Sequence, residues 1–167
     1  LFCSFPDPHH PFTPPGRYWD LHDPEAIALP ASFDRRNHVN PPRLVEELWR
    51  EQQRGVCHPG SPDAFACTAR EAREAIALNY GMIACLDEAV GRFLQGLEHQ
   101  GLSSRTVVAF TADHGDLMGD HGLLLKSPLH YQGLVRAPFL WSEHGLSAGG
   151  SDELSGTIDI ASTVLDR

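Results

Sequence analysis

An α/β domain with a mostly parallel sheet flanked by helices is the fold class this sequence predicts. Three observations carry the prediction. Residues 69–99 place Ile76, Tyr80, Ile83, Leu86, Val90, Phe93, Leu94 and Leu97 at intervals of three and four, one apolar stripe of a long helix. Thr106-Val107-Val108-Ala109-Phe110-Thr111 is a continuous β-rich run bounded by polar residues, the pattern of a strand buried on both faces. A helix followed by such a strand is half of a βαβ unit.

The elements follow in order. Leu1-Phe2-Cys3-Ser4-Phe5 reads as a first buried strand, and a chain that starts with Leu inside a strand is expected to be a piece of a longer one. Residues 6–15 are a loop rich in Pro and His; prolines at 8, 11, 14 and 15 exclude a helix and favour an extended path. Residues 20–68 are irregular, with one short helix expected near 44–51. After the helix at 69–99, Gly101 is a stop signal. The strand at 106–111 comes next, then a strand at 137–141 and a closing helix at 158–165. The sequence shows no internal repeat and no low-complexity tract.

Composition narrows the function classes. The 167 residues suffice for one domain with a real core, and 41% apolar with 21% charged residues is ordinary for a globular protein. A formal net charge of -9 argues against nucleic acid as a partner, since phosphate-backbone binding relies on clustered Lys and Arg. An anionic small molecule stays admissible, because a bound divalent cation reverses the local field. No stretch approaches the roughly 20 apolar residues that span a bilayer, so no membrane partner is expected. No basic segment followed by an apolar one opens the chain, which leaves the compartment open between cytoplasm and periplasm. Cys3, Cys57, Cys67 and Cys85 form no CxxC pair and read as free, mostly buried thiols; Cys57 and Cys67 are placed to pair across a loop in an oxidising compartment. The oligomeric state is not legible.

In parallel sheets ligands bind beyond the carboxyl ends of the strands, which directs attention to the residues after Phe5 and after Phe110. Asp113 supplies a hard carboxylate oxygen and His114 an imidazole nitrogen; adjacent at a strand end, both reach one cation if the chain turns, and Gly115 permits the turn. Oxygen ligands favour Ca²⁺, Mg²⁺ or Mn²⁺, and added histidines shift the site toward Mn²⁺ or Zn²⁺. Taken alone, the dipeptide also reads as a turn cap beside a loop histidine. Asp120-His121-Gly122 repeats the tripeptide, and a polar turn is preferred there to a second metal site. Lys126 follows three leucines; it either reaches an anion as a point charge or snorkels to solvent. His9 and His10 lie at the same expected edge, where a histidine can donate a proton to a leaving oxygen or stand as an exposed loop residue.

Together these stretches resemble the sulfatase family, within the alkaline-phosphatase-like superfamily of metal-dependent ester hydrolases. The match runs through residues 4–12 and 106–122, with Lys126 at the family's interval. Arg136-Ala137-Pro138-Phe139 is similar to its Arg-Val-Pro-hydrophobic strand entry, and residues 157–166 to its "DIAPTLLD" helix. The resemblance is weakest over 31–68 and points to arylsulfatase, choline-sulfatase and phosphonate-monoester-hydrolase relatives. It implies a partial alkaline-phosphatase-like fold. It implies Asp113 and His114 as metal ligands, with His114 also close to substrate. It implies Lys126 on the sulfate or phosphonate group, and His9, the first His of P-H-x-P-F, on the ester oxygen as general acid. The implied metal is Ca²⁺, with Mn²⁺ as alternative.

The departures are as informative. The family's nucleophile is a Cys or Ser in C/S-x-P/A-x-R, converted to formylglycine, and no cysteine here stands in that motif. The paired aspartates of the family's first strand are absent too. The chain is therefore expected to be the C-terminal portion of a catalytic domain, 1–167, without the nucleophile-bearing N-terminal half and the small C-terminal domain. Alone it is expected to be inactive. Two other readings remain: a two-metal phosphodiesterase or phosphomutase of the same superfamily, and a non-catalytic α/β fragment.

Overall fold

A computed structural model of the chain describes residues 1–56 and 63–166. After the Pro-rich loop and four single helical turns comes α1 (Arg43–Gln53), then β1 (Phe65–Ala66) and the long helix α2 (Ala69–His99). The second half holds β2 (Val108–Thr111), β3 (Leu123–Leu124), the one-turn α3 (Gln132–Val135), β4 (Phe139–Ser142) and α4 (Asp159–Leu165).

Helix α2 occupies the residues its periodicity predicts, and both ends are set locally. Thr68 accepts a bond from the Glu71 amide while Glu71 accepts one from the Thr68 amide, a reciprocal cap that satisfies two orphan donors. At the far end Gly101 takes φ 67°, and the Gly101 and Leu102 amides turn back onto Glu98 and Leu97 at 2.9 Å each. That is a left-handed stop suited to glycine.

The core is two small clusters joined by β3. Successive strand residues point to opposite faces. Leu123 accordingly packs with Val45, Ala66, Leu117 and Leu134, while Leu124 packs with Cys67, Ala72 and Ala75. Burial pushes the Cys67 thiol up to about 12, so it stays protonated and inert. Cys67 is a free buried thiol, Cys85 is half-buried and Cys3 is exposed; the expected Cys57–Cys67 pairing lies outside the described residues.

The α/β class holds, with three corrections. Among the described residues both ladders are antiparallel: β1 pairs with β3, and β2 with β4 from Val108↔Ser142 to Thr111↔Phe139. A parallel neighbour requires a crossover helix between strands of one sheet. The link from β2 to β4 carries only the single turn α3, and the strand before α2 belongs to the other sheet. Residues 1–5 form no strand; Leu1 and Phe2 are fully exposed, because an apolar run becomes a strand only against a ladder partner. Of the predicted apolar stripe of α2 only Ile76 is buried, while Tyr80, Ile83, Phe93 and Leu94 are exposed; the face that packs is lined by Ala72, Ala75, Ile76, Asn79 and Met82 in the first half of the helix. No described helix is long and apolar enough to cross a membrane.

Candidate active site

Helix α2 holds the Pro-rich loop in place. A Cβ on Gly81 would lie 2.3 Å from the Tyr18 carbonyl oxygen and 3.1 Å from the Pro14 ring, so only glycine lets the loop lie this close. The buried Asn79 donates from its side chain to the Pro8 carbonyl at 3.2 Å. His9 is exposed; its Nδ1 donates to the His10 carbonyl at 2.6 Å, which leaves Nε2 as the nitrogen available to a substrate. The His10 ring lies 4.1 Å from that of His9. It is half-buried, and its Nδ1 is sealed from solvent without a hydrogen-bond partner. Burial holds the His10 pKa below its ordinary value, helped by the charges of His9 and Lys126 and opposed by Asp116.

The second loop leaves β2. The Thr111 hydroxyl donates to the Pro138 carbonyl at 2.9 Å and ties the end of β2 to the entry of β4. Asp113 accepts the His114 amide at 2.9 Å, a turn that puts both side chains on one side. His114 donates from Nδ1 to the Gly115 carbonyl at 2.8 Å, which fixes the tautomer and leaves the Nε2 lone pair free. Nε2 then lies 3.5 Å from Asp113 Oδ2. Two lone-pair donors at that spacing, one oriented by a backbone carbonyl, fit one divalent cation. They are two ligands of a shell that Ca²⁺ fills with six to eight. No cluster of three or more His, Cys, Asp or Glu suited to a metal occurs among the described residues.

From Gly115 the chain runs as a tight hairpin. The Leu117 amide donates to Leu125 at 3.0 Å and the Gly119 amide to Leu123 at 2.8 Å. Gly119 reverses the chain at φ 93°, and Lys126 emerges just beyond the buried Leu125. The buried leucines thus hold the lysine stem while the ammonium reaches a cleft of about 440 Å³. His114, Lys126, Ser127, His130 and Leu134 line that cleft.

His121 is engaged elsewhere. It sits in the left-handed region at φ 58°, stacks on Tyr131 at 3.6 Å and places Nδ1 3.0 Å from Nδ1 of His38. His38 donates from Nε2 to the Ser32 carbonyl at 2.7 Å, so its Nδ1 accepts from His121. Burial and His38 lower the His121 pKa, against Asp120. This is a structural clasp, in keeping with the polar turn expected there.

The structure therefore brings His114 and Lys126 onto one cleft, with Asp113 beside His114. His10, the neighbour of His9, feels the charge of Lys126.

A family model described as Sulfatase matches residues 1–167. An arylsulfatase of Clostridium perfringens is 33% identical over 99% of the chain and 33% of its own length. A choline-sulfatase of Rhizobium meliloti is 27% identical over 99% of the chain and 30% of its own length. Among solved structures, a phosphonate monoester hydrolase from Silicibacter pomeroyi superposes with a TM-score of 0.72 at 26% identity, covering 95% of the chain and 31% of that protein. The chain spans about a third of the length of the curated relatives it matches.

Proposed function

The chain belongs to the sulfatase family, and from that premise we propose that it supplies the cation- and anion-binding wall of an enzyme that hydrolyses small sulfate esters or phosphonate and phosphate monoesters. The observation that carries this reading is the shared cleft of His114 and Lys126, with the Asp113 carboxylate oxygen 3.5 Å from the free nitrogen of His114.

Asp113 Oδ2 and His114 Nε2 are the two donors this chain offers to a divalent cation, Ca²⁺ or alternatively Mn²⁺. Such a cation neutralises anionic ester oxygens and polarises the central sulfur or phosphorus. Lys126 brings a fixed positive charge to the transferring group. A charge fixed in place before the reaction stabilises charge that develops in the transition state without reorganising solvent. His9, oriented by its Nδ1 bond to the His10 carbonyl, serves as the acid in its imidazolium form, which carries a second proton on Nε2, and passes that proton to the leaving oxygen. The attacking group is outside the 167 residues, since no C/S-x-P/A-x-R motif is among them; in the family pattern it is a formylglycine.

The test is hydrolysis of aryl sulfate and aryl phosphonate monoesters by the intact protein supplied with Ca²⁺ or Mn²⁺. Turnover of at least one class is expected, and its loss in Lys126→Ala. Failure to turn over either class with either metal refutes the reading.

A further inference from the structure

We propose that His130 is a specificity-determining residue of this site: its imidazole donates a hydrogen bond to the third terminal oxygen of a sulfate monoester, an oxygen that a phosphonate monoester lacks. The inference rests on the functional reading above and deepens it, from ester hydrolysis in general to the number of oxygens on the transferring group.

The cleft offers few donors to such a group. Among its described lining residues the polar ones are Asp63, His114, Lys126, Ser127 and His130, and the others are apolar. A carboxylate such as Asp63 accepts and does not donate. His114 commits its Nδ1 proton to the Gly115 carbonyl and leaves only a lone pair at Nε2. The Ser127 hydroxyl is sealed from solvent, so a molecule entering the cleft does not touch it. Lys126 and His130 remain. The His130 ring is exposed and has no hydrogen bond, ion pair or ring contact among the described residues. An imidazole carries an N–H in either protonation state, so His130 donates in both. It is not a further ligand beside Asp113 and His114, since no cluster of three metal-ligating groups occurs among the described residues.

The backbone on both sides of His130 is pinned. The Leu129 amide donates to the Ser127 carbonyl at 2.7 Å, and the Leu134 and Val135 amides donate to the Tyr131 carbonyl at 2.9 and 3.1 Å. The Tyr131 ring in turn stacks on His121 at 3.6 Å. A held backbone with an uncommitted side chain suits a residue that positions a ligand.

Substrate chemistry supplies the discrimination. A sulfate monoester has three terminal oxygens. In a phosphonate monoester carbon replaces one of them and accepts no hydrogen bond. The cation side of the cleft and Lys126 serve two oxygens, which both esters have. His130 serves the third. Both esters are monoanions, so a ring that merely added positive charge would favour them alike, whereas a directed hydrogen bond favours the sulfate.

The experiment uses the intact protein supplied with Ca²⁺ or Mn²⁺, as wild type, His130→Ala and His130→Gln, with an aryl sulfate and an aryl methylphosphonate that share one leaving group. His130→Ala should lower kcat/KM for the sulfate by about tenfold to a hundredfold and for the phosphonate by less than about threefold, the retained phosphonate turnover showing that the variant folds. His130→Gln restores an N–H at similar reach and should recover most of the sulfate loss. Equal losses on both esters, no loss on the sulfate, or a Gln variant no better than Ala overturns the proposal. Where the wild type turns over only one ester, binding decides the inference; where it turns over neither, the functional reading fails and binding decides the inference alone. Calorimetric titration then compares methanesulfonate, with three terminal oxygens, and dimethyl phosphate, with two. His130→Ala should weaken the first by at least about tenfold and change the second by less than about threefold. Equal weakening, or no binding of methanesulfonate to the wild type, overturns the proposal.

Discussion

Gly115 and Gly133 meet backbone to backbone. A Cβ on Gly115 would lie 1.8 Å from the Gly133 carbonyl oxygen, while the Gly115 amide donates to Leu134 at 2.9 Å. This contact fixes how the loop after β2 leaves the sheet, and therefore where Asp113 and His114 stand relative to Lys126.

Gly115→Ala should thus be destabilising, by about 1–3 kcal/mol, since the obstacle is backbone and cannot swing aside. Gly133→Ala should cost less. Its Cβ would meet the Asp120 carboxylate at 2.7 Å, and a side chain can yield where a carbonyl cannot. Chemical denaturation of the two variants checks the order. A Gly115→Ala protein as stable as wild type would show that the loop is free to move.

The His38–His121 clasp predicts a pH dependence of stability. Burial and His38 keep His121 below its ordinary value of 6.5, so the folded chain binds fewer protons than the unfolded one as pH falls. Stability is then fully present well above 6.5 and is lost as pH drops through that value and on through the lowered one. His10, lowered mainly by burial, has the same sign. Melting temperatures measured from pH 7.5 down to about 5.5 should fall by a few degrees. The slope should flatten in His121→Asn. A melting temperature that rises on acidification would contradict the assigned clasp.

Much of this was legible in the sequence because it rests on local periodicity. The stripe from Ile76 to Leu97 delimits α2, and the run 106–111 contains β2. Partnership was not legible. Whether Phe2 and Phe5 meet a ladder, or whether β2 takes a parallel or antiparallel neighbour, depends on residues far away in the chain. The same limit applied to the site. Asp113, His114 and Lys126 stand out by type and spacing. That Asp116 lies across the hairpin from Lys126 emerges only from the Leu117–Leu125 backbone bond. His121 resembles His114 in sequence, and only its left-handed backbone and its stack on Tyr131 show that it serves the turn.

The 167-residue chain by itself should bind Ca²⁺ and Mn²⁺ weakly, with Kd no tighter than about 1 mM, and should not hydrolyse aryl sulfates or phosphonates. Two protein donors leave most of a cation's shell to water, and no nucleophile motif is within the chain. Calorimetric titration with each metal and an ester assay check this. Micromolar metal binding, or turnover that disappears in Asp113→Ala, would mean the chain builds a complete centre from residues given no role above.

The most direct test of the central claim is the dependence of ester hydrolysis by the intact protein on the concentration of added Ca²⁺ or Mn²⁺, compared among wild type, Asp113→Ala and Lys126→Ala. A ligand and an anion-binding lysine should fail in different ways. Asp113→Ala should raise the half-saturating metal concentration by at least about tenfold to a hundredfold. Lys126→Ala should leave that concentration near the wild-type value and lower the saturated rate by about a hundredfold to a thousandfold. Wild-type metal dependence in Asp113→Ala, together with a wild-type saturated rate in Lys126→Ala, would contradict the assignment of this cleft.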